Sequence, residues 1–396
     1  MLRDKERIDR IQRVLSENNW DALVCALPSN VLLLSGYWPV IGSAVAIFNR
    51  QGAVIVLAPE DERELAEQGW ADEVRTFEGG SLHNLNTIPE SVENALSELK
   101  LRLGFKSGNV LGYEASPTFN PSTYASTFDY GTGIQTVLGK VFPFVSLVDA
   151  TMCLARLKSV LTHRELSLIR HACEISRRAF LTTSAEIEPG MRESNVAAVL
   201  RSNLAKGPVL TERCDGFAYC MSGPNSAQAY AAFQQTRSRT IQPGDFVLLH
   251  CNSYCGGFWT DITRTFSIGR PDAQKAAITD AVLEASRKAI STVRSGIRAS
   301  AVDEAAREVM NARGYGKAFK HATGHGVGFA AINHNAFPRI HPLSDEILEP
   351  GMVFNIEPAV YIPGMGGMRQ CNMVAVTDDG AELLTTFQNE TPDLTL

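Results

Sequence analysis

From about residue 156 onward the chain writes one short pattern twice. Glu174-x-Ser176-Arg177-Arg178-Ala179 returns as Glu284-x-Ser286-Arg287-Lys288-Ala289, and Gly190-x-Arg192-x-Ser194-x-Val196 returns as Gly296-x-Arg298-x-Ser300-x-Val302. Pro243-Gly244 leads to His250 as Pro350-Gly351 leads to Glu357, both 107 residues apart. Gly256-Gly257 matches Gly366-Gly367 at 110 residues, the spacing that also carries Asp261 to Cys371. One Pro-Gly pair marks only a turn. An ordered series of matches fixes an architecture: two related helix–helix–strand halves facing each other. A pseudo-twofold relation between them would bring His250, Asp261, Glu357 and Cys371 to one centre between the sheets.

The segment from Pro243 to Ile268 reads as two strands joined by a glycine turn. Val247, Leu248 and Leu249 form a short apolar run, and Ile262, Phe266 and Ile268 carry the return. His250 is expected to end the first strand and Asp261 to lie inside the second. Polar groups in such strands are costly unless something uses them. Three of the eight histidines, His321, His325 and His334, fall within fourteen residues. Gly324 and Gly326 flank His325, so its backbone is expected to be closely approached. For His163, His171 and His341 an ordinary surface or core role serves as well.

A chain of 396 residues calls for two domains. The boundaries read as 1–152 and 156–396. The first domain alternates strands and helices and is expected to be an α/β layer. Asp21–Leu27 and Val31–Leu34 read as strands within it. It carries neither a phosphate loop nor a dinucleotide fingerprint, so it reads as a stable body without chemistry of its own. With a net charge of −6 and no basic run, a nucleic-acid or anionic-membrane partner is not expected. No apolar run approaches a membrane span. The N-terminus is charged and amphipathic rather than a signal peptide, which points to the cytoplasm. Eight cysteines scattered through the chain do not read as a disulfide framework, and the lack of any CxxC pair excludes a zinc ribbon.

The motifs TDITRTF, HATGHGVG, PGMVFNIEP and GGMRQCN resemble those of the pita-bread hydrolases, the aminopeptidase P, prolidase, methionine aminopeptidase and creatinase group. The resemblance implies an α+β protein. A C-terminal pita-bread domain of two duplicated halves would follow an N-terminal α/β creatinase/prolidase-type domain. Metallopeptidases of this group hold two metal ions with Asp, Asp, His, Glu and Glu. Carried over, Asp261, His325 and Glu357 keep three of these positions. His250 stands where the first Asp is usual, and Cys371 where the last Glu is usual. The resemblance further implies catalytic roles for His325, Glu357, His334 and His321. It places Arg369 and His334 beside the substrate. Tyr230 stands in a position near the substrate where relatives often have a histidine. A homodimer is expected on the same ground.

Two dications held by two carboxylates, an imidazole and a thiolate would be under-neutralised, so a dinuclear site is disfavoured. The readings left open are one divalent ion (zinc, iron or manganese) and no metal at all. The expected function is a C–N bond hydrolase related to Xaa-Pro peptidases, acting on a small carboxylate-bearing molecule or dipeptide. One alternative is a metal-independent creatinase-type hydrolase of an amidine or cyclic amide, although Thr263 and Gln370 stand where such an enzyme has carboxylates. Another is a binding protein without catalysis. Plainer roles compete at single positions. Cys371 could be a buried filler, His250 a structural partner of Asp261 or Glu357, and Arg369 an ion pair with Asp261.

Overall fold

The computed structural model describes residues 3–40, 43–78, 85–115, 134–206, 213–230, 236–331, 333 and 336–387. Two compact units divide at Lys158 and Ser159.

In the first unit α1 (Lys5–Glu17) precedes β1 (Ala22–Cys25), α2 (Pro28–Ser35), β2 (Val45–Asn49), β3 (Val54–Pro59), α3 (Arg63–Glu67) and β4 (Glu73–Phe77). Then come α4 (Ile88–Leu103), β5 (Val110–Tyr113), α5 (Ile134–Val141), β6 (Ser146–Asp149) and α6 (Thr151–Ser159). The six strands form one mixed sheet in the order β4-β3-β2-β1-β5-β6, which is the α/β layer expected. Its core gathers Val24, Ile47, Leu57, Leu96, Leu111 and Leu138.

Val31–Leu34 is not a strand but the body of α2. Pro28 begins the helix, and Gly36 closes it at φ 69°. The helix is buried on every side, so its sequence is a plain apolar run, and such a run does not reveal its period. No side chain of its own caps it. Glu114, just past β5, does so from a distance by accepting the N–H groups of Ala26 and Leu27, and Asn30 Nδ2 at 2.9 Å. Glu114→Ala is therefore expected to destabilise the first unit by about 2–4 kcal/mol, because two buried donors and one half-buried donor lose their shared acceptor. Denaturant unfolding measures this. A loss below about 0.5 kcal/mol, the level of an ordinary surface change, would contradict the assignment.

The second unit opens with α7 (His163–Ser184), α8 (Glu193–Ala205), β7 (Cys214–Ser222), β8 (Phe246–Cys255), β9 (Phe258–Trp259) and β10 (Ile262–Ser267). Its second half runs α9 (Ala273–Thr292), α10 (Ala299–Ala312), β11 (Val353–Ile356), β12 (Ala359–Ile362), β13 (Gly366–Arg369), β14 (Asn372–Val376) and β15 (Ala381–Leu383). The repeat is visible in the backbone. Arg192 bridges Thr240, and Arg298 bridges Ile347. Gly190 N–H donates to the Ile241 carbonyl at 3.0 Å, and Gly296 N–H to the Leu348 carbonyl at 2.9 Å.

The halves differ where the site lies. β8 runs unbroken through His250, which therefore sits mid-strand rather than at the strand's end. Its counterpart is interrupted at Glu357-Pro358 into β11 and β12. Asp261 likewise lies just outside β10, in the step from β9. Gly256 and Gly257 make the turn, at φ 58° and 87°. Positive φ at both central residues suits a two-residue hairpin, and β9 folds straight back on β8. β7 was not foreseen. It pairs with β8 along its length and sets Tyr219 opposite His250. The halves join through the bridge between Thr263 and Cys371, where Cys371 N–H donates to the Thr263 carbonyl at 3.1 Å.

Candidate active site

That bridge draws the interrupted strands together, and the predicted side chains meet there. Asp261, Glu357 and Cys371 are buried, and their potential ligand atoms all lie within 4.8 Å of one another. His325 Nε2 lies 3.5 Å from Asp261 Oδ2, and His250 Nδ1 lies 3.7 Å from Asp261 Oδ1. Arg369 Nε reaches to 4.0 Å from Glu357 Oε2. The alternative of an Arg369 ion pair with Asp261 is replaced by this approach to Glu357.

His325 is held by its backbone. A Cβ on Gly324 would run into the Asn355 carbonyl, and one on Gly326 into the Phe337 carbonyl. The close approach expected from the flanking glycines is thus present. Asn355 Oδ1 accepts His325 N–H at 2.7 Å. His325 Nδ1 faces the Gly326 carbonyl at 3.1 Å and must carry the proton there, while Asn355 Nδ2 faces Nε2 at 3.4 Å. His325 Nε2 therefore faces Asp261: it donates to that carboxylate while the ring is charged, and a lone pair is offered there once the proton leaves.

His250 is committed otherwise. Asn252 Nδ2 donates to the Thr260 carbonyl at 3.0 Å, so Asn252 Oδ1 accepts from His250 Nε2 at 3.2 Å. His250 Nδ1 is then an acceptor, with Thr263 Oγ1 at 2.9 Å and Arg369 Nη2 at 3.3 Å. Arg369 Nε also donates to Thr263 Oγ1 at 3.0 Å. Both ring nitrogens of His250 are engaged, and burial, reinforced by Arg369, brings its pKa down to about 4.

Burial drives the Glu357 carboxyl up to about 7, and the negative charge of Asp261 adds to this against Arg369. Burial also works to raise Asp261, but His250, His325 and Arg369 hold it below the usual carboxylate range. For His325 burial is outweighed by Asp261 and Glu357, so a positive charge at the ring is favoured. Burial, with Asp261 and Glu357, pushes the Cys371 thiol well up, and its Sγ lies 2.9 Å from the Asp261 carbonyl.

Asp261, Glu357 and Cys371, with His325 beside Asp261, could hold a divalent ion, since two carboxylates, an imidazole and a thiolate are a mixed oxygen, nitrogen and sulfur set of the kind zinc accepts. Two carboxylates and a thiolate are neutralised by one dication together with the Arg369 guanidinium. A second dication beside Arg369 would leave an excess of positive charge in a buried place, which is costly.

Above this cluster a directional chain runs outward. Arg369 Nη1 donates to Tyr361 Oη at 3.4 Å, and Tyr361 Oη donates to His321 Nε2 at 3.0 Å. His321 Nδ1 donates to the Ala322 carbonyl at 2.8 Å. The Tyr230 ring lies 5.5 Å from that of Tyr361, and Lys320 Nζ sits 4.4 Å over Tyr230. Tyr230 itself is 43% exposed. His334 lies outside the described residues. Sequence reasoning missed Tyr361, Asn355 and Lys320. For Asn355 a signal existed: an amide in the apolar run VFNI, buried and therefore in need of partners.

Residues 167–378 match the model of metallopeptidase family M24, and residues 7–117 match that of the creatinase/prolidase N-terminal domain. The chain is 29% identical over 390 residues to the Xaa-Pro dipeptidase of Pyrococcus furiosus, covering 98% of this chain and 99% of the relative. Among solved structures it resembles the prolidase from Pyrococcus horikoshii OT3, with a TM-score of 0.77, 26% identity and coverage of 97% and 99% of the two chains. It also resembles the Xaa-Pro dipeptidase from Bacillus anthracis, with a TM-score of 0.79, 24% identity and 99% coverage of each chain, a likeness of fold.

Proposed function

This chain belongs to metallopeptidase family M24, a pita-bread hydrolase of the peptidase type behind a creatinase/prolidase N-terminal domain, and on that premise we propose that it cleaves Xaa-Pro dipeptides with a single divalent ion. The observation that carries the reading is the buried meeting of Asp261, Glu357 and Cys371 within 4.8 Å, with His325 Nε2 3.5 Å from Asp261 Oδ2. The chain's similarity to an Xaa-Pro dipeptidase and a prolidase supports the dipeptide as the substrate class.

Asp261, His325, Glu357 and Cys371 are the residues that would hold the ion. When bound, it supplies a Lewis acid and an activated water. The Glu357 carboxyl, raised to about 7 by burial, would hold a proton and pass it to the departing nitrogen. Arg369 stays charged, its guanidinium held by Thr263 and His250, and it offers a fixed donor fork to the substrate carboxylate. Tyr361 and His321 fix the outer edge of that fork. His250 acts as the neutral acceptor that aims Arg369.

Elemental analysis of protein purified without added metal tests this reading. About one equivalent of a divalent ion per chain is expected, from the charge balance of the donor set. Chelation is expected to remove Xaa-Pro hydrolysis, and one equivalent of zinc or manganese to restore it. Two equivalents would overturn the single-ion reading. Full activity without metal would return the metal-independent one.

A further inference from the structure

A second cluster of reactive side chains lies away from these residues, at the far end of the β7–β8 ladder. Cys214 opens β7 and Cys255 closes β8, and the two stand directly opposite each other. Their Sγ atoms are 2.8 Å apart. The neighbouring pair settles the geometry. Gly256 N–H donates to the Arg213 carbonyl at 3.0 Å, so Arg213 and Gly256 form a hydrogen-bonded pair. In an antiparallel ladder such pairs alternate with non-hydrogen-bonded ones. Cys214 and Cys255 are therefore a non-hydrogen-bonded pair, whose Cα atoms stand about 4.5 Å apart with the side chains on one face. That separation lies inside the range a disulfide spans. The match thus rests on the ladder's register as well as on the sulfur positions.

We propose that Cys214 and Cys255 form a thiol-redox site that closes reversibly to a cross-strand disulfide on exchange with a small-molecule disulfide such as oxidised glutathione. Cys214 is half-buried and Cys255 buried, which makes Cys214 the point of attack. The Cys214 thiolate displaces one thiolate from the small disulfide and forms a mixed disulfide. The Cys255 thiolate then attacks Cys214 Sγ and releases the second thiolate. Two electrons pass from the protein pair to the small disulfide, and the two protons lost by the cysteines end on the two released thiols.

The bond would pin the start of β7 to the tight turn between β8 and β9. Trp259 in β9 stacks on Phe217 of β7 with ring centroids 6.0 Å apart, so the same corner is already fastened by an aromatic contact. Asp261 follows β9 by two residues. The closed form would therefore stiffen the strand that leads into the active site.

Treatment of the full chain with oxidised glutathione, alkylation of the remaining thiols and peptide mass spectrometry tests the site. A cross-linked peptide joining Cys214 to Cys255 is expected, with a mass loss of about 2 Da that dithiothreitol reverses. A loop closed over 41 residues is expected to raise the thermal midpoint by about 5–10 °C in the oxidised form. Cys214→Ser, at the half-buried position, is expected to remain folded and to lose both the cross-link and the shift. Cys255→Ser is a second check on the same pair. Full alkylation of both cysteines after oxidant, a cross-link to any other cysteine, or a thermal shift that survives Cys214→Ser would each overturn the proposal.

Discussion

Glu357→Gln is expected to lower kcat on an Xaa-Pro dipeptide about a thousandfold, within the range that loss of a positioned proton-transfer group produces. The side chain keeps its shape and loses its charge. It stands at the interruption between β11 and β12, where a strand that continues in the other half is broken by Pro358. Burial already favours the neutral form of this carboxyl, so a neutral isostere costs the fold little. The thermal midpoint should therefore stay within a few degrees of wild type while turnover collapses. Metal content gives a second readout, since the amide is a poorer ligand than a carboxylate. Unchanged kcat would remove Glu357 from proton transfer. Lost activity with an unfolded protein would leave the chemistry untested, so the midpoint must be measured alongside.

Much of this site was legible because spacing survives when residue identity does not. The two offsets of the repeat alone place His250, Asp261, Glu357 and Cys371 together, and the glycines around His325 mark a closely approached backbone. The sequence is less informative where burial erases periodicity. Val31–Leu34 looks alike as a buried strand or a buried helix, and only Pro28 and Gly36 at its ends argue for the helix. The hydrogen-bond partners are harder still. Asn355 and Tyr361 act through contacts set by the crossing of separate strands, and nothing local to NIEP or AVYI shows which group they will meet. Glu114 caps a helix from 84 residues away at Asn30, so no local capping signal exists for it.

Arg264→Ala is expected to cost the second unit about 4 kcal/mol or more and to lower its thermal midpoint by about 10–15 °C. Arg264 is fully buried, in the TDITRTF run one residue from the bridge that joins the two halves. Its Nη1 donates to the Thr263 carbonyl at 2.8 Å and to the Cys371 carbonyl at 2.7 Å. Its Nη2 donates to Asn372 Oδ1 at 3.0 Å and to the Phe387 carbonyl at 3.0 Å, and the Phe387 ring lies 4.5 Å from the guanidinium carbon. One side chain thus ties β10 of the first half to the β13–β14 step of the second. Burial draws its pKa down to about 10, yet at neutral pH it remains a cation solvated by backbone oxygens in place of water. Alanine removes that cation, but it also takes the donor from the carbonyls of Cys371 and Phe387 and opens a cavity where the halves meet. Arg264→Lys keeps the charge with fewer donors in a different geometry, so an intermediate loss is expected. Because Cys371 hangs from this junction, the alanine variant should lose bound metal and fold together, whereas Glu357→Gln separates them. A thermal midpoint unchanged in Arg264→Ala would mean that the two halves are held together elsewhere.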